Sequence, residues 1–151
     1  MKHFLLFLFL GASTLLSAQQ IDYNTKKGFV ADGYDVVSYF VDHKPVEGKK
    51  KFITTYDGAK FQFSSENNLK MFTGNPKKYI PQCGGFCAYA IATRNERKEI
   101  DPETFEIRDG KLYLFYNKWF SNKLESWLEE DTAKLQKDAA NNWAKLKNKK
   151  N

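Results

Sequence analysis

The chain is short of the residues from which reactive sites are most often built. Two cysteines, two histidines and four prolines are spread over 151 residues. Its arginines are three, Arg94, Arg97 and Arg108. Nucleic-acid binding calls for basic residues clustered on one face, often with arginine reading bases. Here the lysines are scattered, apart from Lys49-Lys50-Lys51 and the tail from Lys145 to Lys150. The net charge of +6 is therefore read as solubility, and no nucleic-acid partner is expected. Histidine chemistry has little to draw on. Beyond the N-terminal region the sole imidazole is His43, in a polar loop. No serine–histidine–acid set, paired-acid motif or phosphate-cradling glycine loop stands out. Internal repeats are absent. Leu, Ile and Val are comparatively few, so the aromatic residues, 16% of the chain, must supply much of the core.

What is present begins with an address. Lys2 opens the chain, Phe4 to Leu10 is an unbroken apolar run, and Ser17-Ala18 offers a small-residue exit. That pattern reads as a secretory signal peptide over residues 1–18. An apolar stretch of about 13 residues is too short for a bilayer span, where about 20 are needed. No later segment is long and apolar enough to cross a membrane, so no transmembrane segment is expected and the location is read as periplasmic or secreted. Residues 19–28 read as a flexible leader, 29–147 as one domain with a C-terminal helix, and 148–151 as a basic tail. A domain of this length buries roughly two thirds of its unfolded surface and needs neither metal nor disulfide to fold.

Two hairpin signals frame the domain. Asp57-Gly58 and Asp109-Gly110 each sit between alternating apolar positions, Phe61 and Phe63 in the first case, Leu112 and Leu114 in the second. Both pairs tolerate the positive φ of a tight hairpin turn. A short helix is predicted from Tyr34 to Phe40. Ser64 and Ser65 are N-cap residues for a helix carrying Leu69 and Phe72, which Gly74 and Asn75-Pro76 stop. Phe86 to Thr93 has no breaker and reads as a buried helix. Leu135, Ala139, Trp143 and Leu146 recur at helical spacing in the last segment. The fold class is α+β: a small antiparallel sheet from two short hairpins, packed against several helices, with a C-terminal helix over the remainder.

The order of these motifs resembles the YHS domain family, in its exported branch. Gly33 to Phe40 (Gly-Tyr-Asp-Val-Val-Ser-Tyr-Phe), Gly58 to Ser65, Asn75-Pro76, Pro81 to Ala88 and Asp109 to Asn117 carry the likeness. The resemblance implies an association with heavy-metal transport and metal binding. It also implies a difference. The thiols of metal-associated members fall, in this chain, at Ser38, Ser64 and Asn68. Neither a hydroxyl nor an amide can become the soft anionic ligand that a thiolate is.

The remaining soft ligands are Cys83 and Cys87, four positions apart around Gly84-Gly85. Three readings stand side by side. They are buried structural thiols, a disulfide suited to an oxidising compartment, or a functional pair at a helix start. In the last, the glycine bend precedes a helix N-terminus that favours thiolates, and i, i+4 spacing points both to one side. Such a pair can hold Cu(I), with His43 as the available third ligand. Tyr34, Tyr39, Tyr79 and Tyr89 are core aromatics and candidate pocket-lining phenols. The leading functional expectation is an exported binding module for a soft metal ion such as Cu(I), or for another small ligand, with the protein partner unidentified. The alternatives are a thiol–disulfide oxidoreductase and a non-catalytic partner-binding or structural domain with inert cysteines. Enzymatic activity is the lesser expectation.

Overall fold

The protein is described by a computed structural model covering residues 21–147. The expected signal peptide (1–18) and basic tail (148–151) lie outside the described residues. The fold class is the α+β one read from the sequence, with six α-helices and small sheets of two to four strands.

The first sheet combines two hairpins. Strands β1 (Thr25–Lys26) and β2 (Phe29–Val30) pair across Lys27-Gly28, and β3 (Lys49–Tyr56) and β4 (Ala59–Phe63) pair across Asp57-Gly58. Asp57 and Gly58 have φ of 50° and 77°, the left-handed pair that a tight two-residue turn requires. The sheet order is β1-β2-β4-β3, and the β2–β4 contact is parallel. The stretch read as a leader thus takes part in the sheet, with Tyr23 buried beside it.

Helix α1 (Ser38–Val41) precedes this sheet's long hairpin. Helix α2 (Glu66–Gly74) follows it, its N-terminus capped by Ser65, whose hydroxyl accepts from the Asn68 N–H at 3.1 Å. Helix α3 (Pro76–Tyr79) and a tight turn over Gln82–Gly85 lead to α4 (Ala88–Arg94). The second hairpin, β5 (Asp101–Arg108) and β6 (Lys111–Phe115), turns at Asp109-Gly110 as the sequence predicts. It forms a sheet of its own and does not join the first, in which β2 occupies the edge of β4 that β3 leaves open. A third, minimal hairpin, β7 (Asn117–Lys118) with β8 (Ser121–Asn122), leads into α5 (Lys123–Glu129) and the long α6 (Thr132–Leu146).

Aromatics fill the core as the composition demands. Phe72 of α2 lies 4.8 Å from the Phe61 ring and 5.0 Å from the Phe63 ring, centroid to centroid. Trp127 of α5 packs on Tyr113 and Phe115 of β6 at 5.4 and 5.3 Å. Phe61, Phe63, Leu112, Leu114, Phe72 and Trp127 are all buried. The α6 stripe points inward, with Leu135 and Ala139 buried and Trp143 and Leu146 against the core.

One polar residue crosses this apolar interior. The Asp35 side chain is fully buried. Its Oδ1 accepts from the Val37 N–H at 2.9 Å and the Ser38 N–H at 3.4 Å, which ends the predicted Tyr34–Phe40 helix at its start and moves it to Ser38. Its Oδ2 accepts from the Ser64 N–H at 2.8 Å, the Ser64 hydroxyl at 2.7 Å and the Asn68 amide at 2.7 Å. Every partner is a donor, which suits an acceptor-only carboxylate. The same group therefore fixes the entry to α1, the end of β4 and the first turn of α2.

Replacing Asp35 by Asn keeps its shape but turns one acceptor into a donor facing donors. The expected cost is about 3 kcal/mol of folding stability, and about 1 kcal/mol for Ser64→Ala, which removes one partner. Urea denaturation of both variants measures this. A loss below about 1 kcal/mol for Asp35→Asn would show that the carboxylate is not needed.

Candidate functional site

Cys83 lies in the Gln82–Gly85 turn with φ of 54°, and Gly84 follows at 60°. The left-handed conformation is uncommon for a residue with a Cβ. At Gly84 it is compulsory to have none, because a Cβ would come within 2.5 Å of the Trp143 ring. The turn is further tied to the N-terminal segment: the Asn24 N–H donates to the Gly84 carbonyl at 2.9 Å, and its side-chain amide to the Gly85 carbonyl at 3.0 Å. Cys87 is the N-cap residue of α4 and makes no side-chain capping bond. The helix predicted from Phe86 therefore begins at Ala88, and the two cysteines do not share it.

Both thiols are free and buried, Cys87 completely and Cys83 to 4% exposure. Cys87 is the more buried of the two, as its place among apolar neighbours predicts. No disulfide joins them. Burial pushes the Cys83 thiol from 9.0 up to about 12, and the nearby Cys87 adds to the rise. Burial also raises Cys87, against the pull of backbone N–H groups of Tyr116, Ala90 and Tyr89. The expected thiolate-favouring helix start is therefore overruled by desolvation: stripping water from an anion costs more than one short helix end returns.

His43 stands apart from this pair. It is exposed, just beyond α1, with φ of 52°. Among the described residues no group of three or more His, Cys, Asp or Glu side chains that could hold a metal ion is found. The tyrosines also disperse. Tyr39 is buried, donates to the Pro102 carbonyl at 2.7 Å and stacks edge-on to Phe105 at 4.8 Å. Tyr79 is buried against Phe40 at 5.4 Å. Tyr34 is half-buried and bridges to Glu47 through its backbone. Tyr89 is half-buried, donates to Glu130 at 2.6 Å and lines a small pocket between α4 and β8.

The place where Cys83 meets solvent is a cleft of about 440 Å³ between α6 and the second hairpin. Tyr113 and Trp143 give it aromatic walls, and Lys111, Lys137 and Lys147 bring three cations. Gln82 and Gln136 supply amides. Gln136 is held in place by donating to the Tyr113 hydroxyl at 3.2 Å and to Asp109 at 3.1 Å. Sequence reasoning missed every one of these residues except Cys83. The signal existed in α6, where Gln136, Ala140, Trp143 and Lys147 repeat at helical spacing and so share one face, with Ala133 and Ala144 leaving room.

With the geometry in hand, the family comparison can be placed on it. The YHS domain family matches residues 37–83, less than half of the chain, from the start of α1 to Cys83 itself. Neither the curated proteins nor the solved structures contain a significant match to the chain. The matched stretch is similar to a YHS domain. Its three positions where related thiols fall, Ser38, Ser64 and Asn68, are brought together by the fold, all hydrogen-bonded to Asp35. The Ser64 hydroxyl and the Asn68 amide donate to the Asp35 carboxylate, and the Ser38 hydroxyl donates to the Asp35 backbone carbonyl, which is the reverse of what a cation needs. A soft metal does not fit there.

The thiol burial has a pH signature. A buried thiol whose pKa is raised contributes stability that is whole below its unfolded value of about 8.5 and is lost as the pH climbs toward the folded value. Between pH 8 and 10 folding stability should therefore fall, with a slope approaching about 1.4 kcal/mol per pH unit for each thiol. The Cys83→Ser variant should show a shallower slope. Urea denaturation across this range checks the claim, and a flat profile contradicts it. Iodoacetamide at pH 8 should label the folded thiols at least about a hundredfold more slowly than the unfolded ones.

Proposed function

We propose that the protein is a non-catalytic binding module whose ligand seat is the cleft beside Cys83, and that it takes a small organic anion with a flat apolar body. The observation that carries this reading is the composition of the cleft wall: two aromatic rings, two amides and three lysines, with no carboxylate in the lining among the described residues. Its volume of about 440 Å³ lies in the range of small-molecule sites. Trp143 and Tyr113 would receive the apolar body, Gln82 and Gln136 would orient polar groups, and Lys111, Lys137 and Lys147 would attract the charge. The cysteines serve this seat as small packed residues. A thiol held near 12 is a poor nucleophile and a poor exchanger at neutral pH, which speaks against a thiol–disulfide oxidoreductase. The setting proposed is the periplasm or the exterior, on the strength of the leader sequence.

Titration with an aromatic carboxylate such as 2-naphthoate, followed by Trp fluorescence and thermal shift, tests the reading. Saturable binding that weakens about tenfold in Lys111→Ala/Lys137→Ala, with the unliganded melting point unchanged, is the expected outcome. Equal binding of the neutral 2-naphthamide, or no binding of either, would count against it.

A second reading is favoured by one observation: Cys83 lies on the cleft wall, next to the unpaired Cys87. The proposal there is Cu(I) held between two sulfurs, without His43. Binding must first release thiol protons that burial holds tightly, so affinity should rise steeply with pH. Titration of the reduced protein with Cu(I) decides it. Equally weak binding by the wild type and by Cys83→Ser/Cys87→Ser removes the metal reading.

A further inference from the structure

The β7–β8 hairpin ends in two aromatic side chains with nothing around them. Trp119 exposes 92% of its reference surface and Phe120 105%, the highest values among the large apolar residues described as exposed. Their backbone is not at rest either. Trp119 has φ of 60°, at the first turn position of a two-residue hairpin, where glycine is the ordinary occupant. A bulky residue persists in that conformation at a cost in strain, and such outliers point to function.

At the base of this tip is a cationic pocket of about 190 Å³. Ser121, which follows Phe120 directly, and Lys123 line it together with Arg94, Lys98, Tyr89 and Tyr116. Lys98 sits over the Tyr116 ring at 4.3 Å and Lys123 over the Tyr89 ring at 5.5 Å, so two of the three cations are positioned by aromatic faces. The lining includes no carboxylate among the described residues. Glu99 is engaged on Lys118 at 2.6 Å and Glu125 on the Asn122 amide at 3.1 Å, while Glu130 accepts from the hydroxyl of the lining residue Tyr89 at 2.6 Å.

We infer that this tip is a membrane-docking element, with Trp119 and Phe120 entering the interface of an anionic phospholipid bilayer and the Arg94–Lys98–Lys123 pocket receiving a lipid phosphate. Two adjacent rings on a narrow spike offer little of the broad, complementary area that a protein interface needs. They suit a fluid interface, where tryptophan and phenylalanine settle at headgroup depth. Cations beside the inserted rings draw the tip to a negative surface. The pocket has the volume for a phosphate headgroup and not for a folded partner. This element is distinct from the cleft beside Cys83, with which it shares no lining residue.

Vesicle co-sedimentation of the protein without residues 1–18 provides the test, with phosphatidylglycerol/phosphatidylcholine vesicles against pure phosphatidylcholine. Binding to the anionic vesicles alone is expected, with quenching of Trp fluorescence by brominated lipid. Trp119→Gly/Phe120→Ser relieves the turn strain, so it should melt no lower than the wild type while binding at least about tenfold more weakly. Lys98→Glu/Lys123→Glu should lose the preference for anionic lipid. Inorganic phosphate at millimolar concentration should weaken binding of the wild type to anionic vesicles without releasing it fully, because the rings add to the contact that the cations make. Absence of vesicle binding, unchanged binding in the Trp119/Phe120 variant, or full release by inorganic phosphate overturns the proposal. So does self-association that this variant abolishes in a protein that ignores vesicles.

Discussion

The buried carboxylate of Asp35 is the constraint on which most of the structure rests. A charge-bearing group in an apolar interior is tolerated only when its lone pairs are matched, and five donors from three elements match them here. Because those donors come from α1, the end of β4 and the start of α2, satisfying one side chain sets the relative placement of all three. The Ser38 hydroxyl extends the network, donating to the Asp35 carbonyl at 2.7 Å and to the Lys44 carbonyl at 3.1 Å. The aromatic cluster of Phe61, Phe63 and Phe72 then closes over a frame whose register is already determined.

That constraint also bears on chemistry. Ser64 and Asn68, two of the positions at which the sequence resemblance implies thiols, here donate side-chain hydrogens to the Asp35 carboxylate and supply no soft ligand. The remaining thiols, Cys83 and Cys87, lie beyond it and are held in their neutral form by burial. Two basic, aromatic-walled pockets open on the domain's far elements: the cleft along α6, and the smaller pocket beneath the Trp119-Phe120 turn. The functions proposed for the two pockets share one chemistry, recognition of an anion by lysine and ring faces without an activated nucleophile.

The turns, caps and buried aromatic faces were legible because each depends on local rules. Asp57-Gly58 and Asp109-Gly110 turn where the sequence says, and Ser65 caps α2. The limits were of range. Nothing local distinguishes Asp35 from a simple turn residue, since Ser64 and Asn68 reach it from about thirty positions away. The parallel meeting of β2 with β4 pairs a two-residue with a five-residue strand, which no period reveals. The i, i+4 argument for the cysteines failed because Cys83 precedes the helix, in a left-handed turn whose shape is dictated by Trp143 from the other end of the chain. The Trp119-Phe120 tip was passed over because aromatic residues in a short run read as core until a structure shows them bare.

Native-state hydrogen exchange at the Ser64 amide tests the central claim most directly. This N–H donates to Asp35 Oδ2 at the junction of β4 and α2, outside any regular ladder. If the carboxylate holds the frame, Ser64 exchanges only when the whole domain unfolds, at the same free energy as the most protected core amides. Exchange of Ser64 through local opening, far faster than the amides of Phe72 and Leu114, would contradict the account.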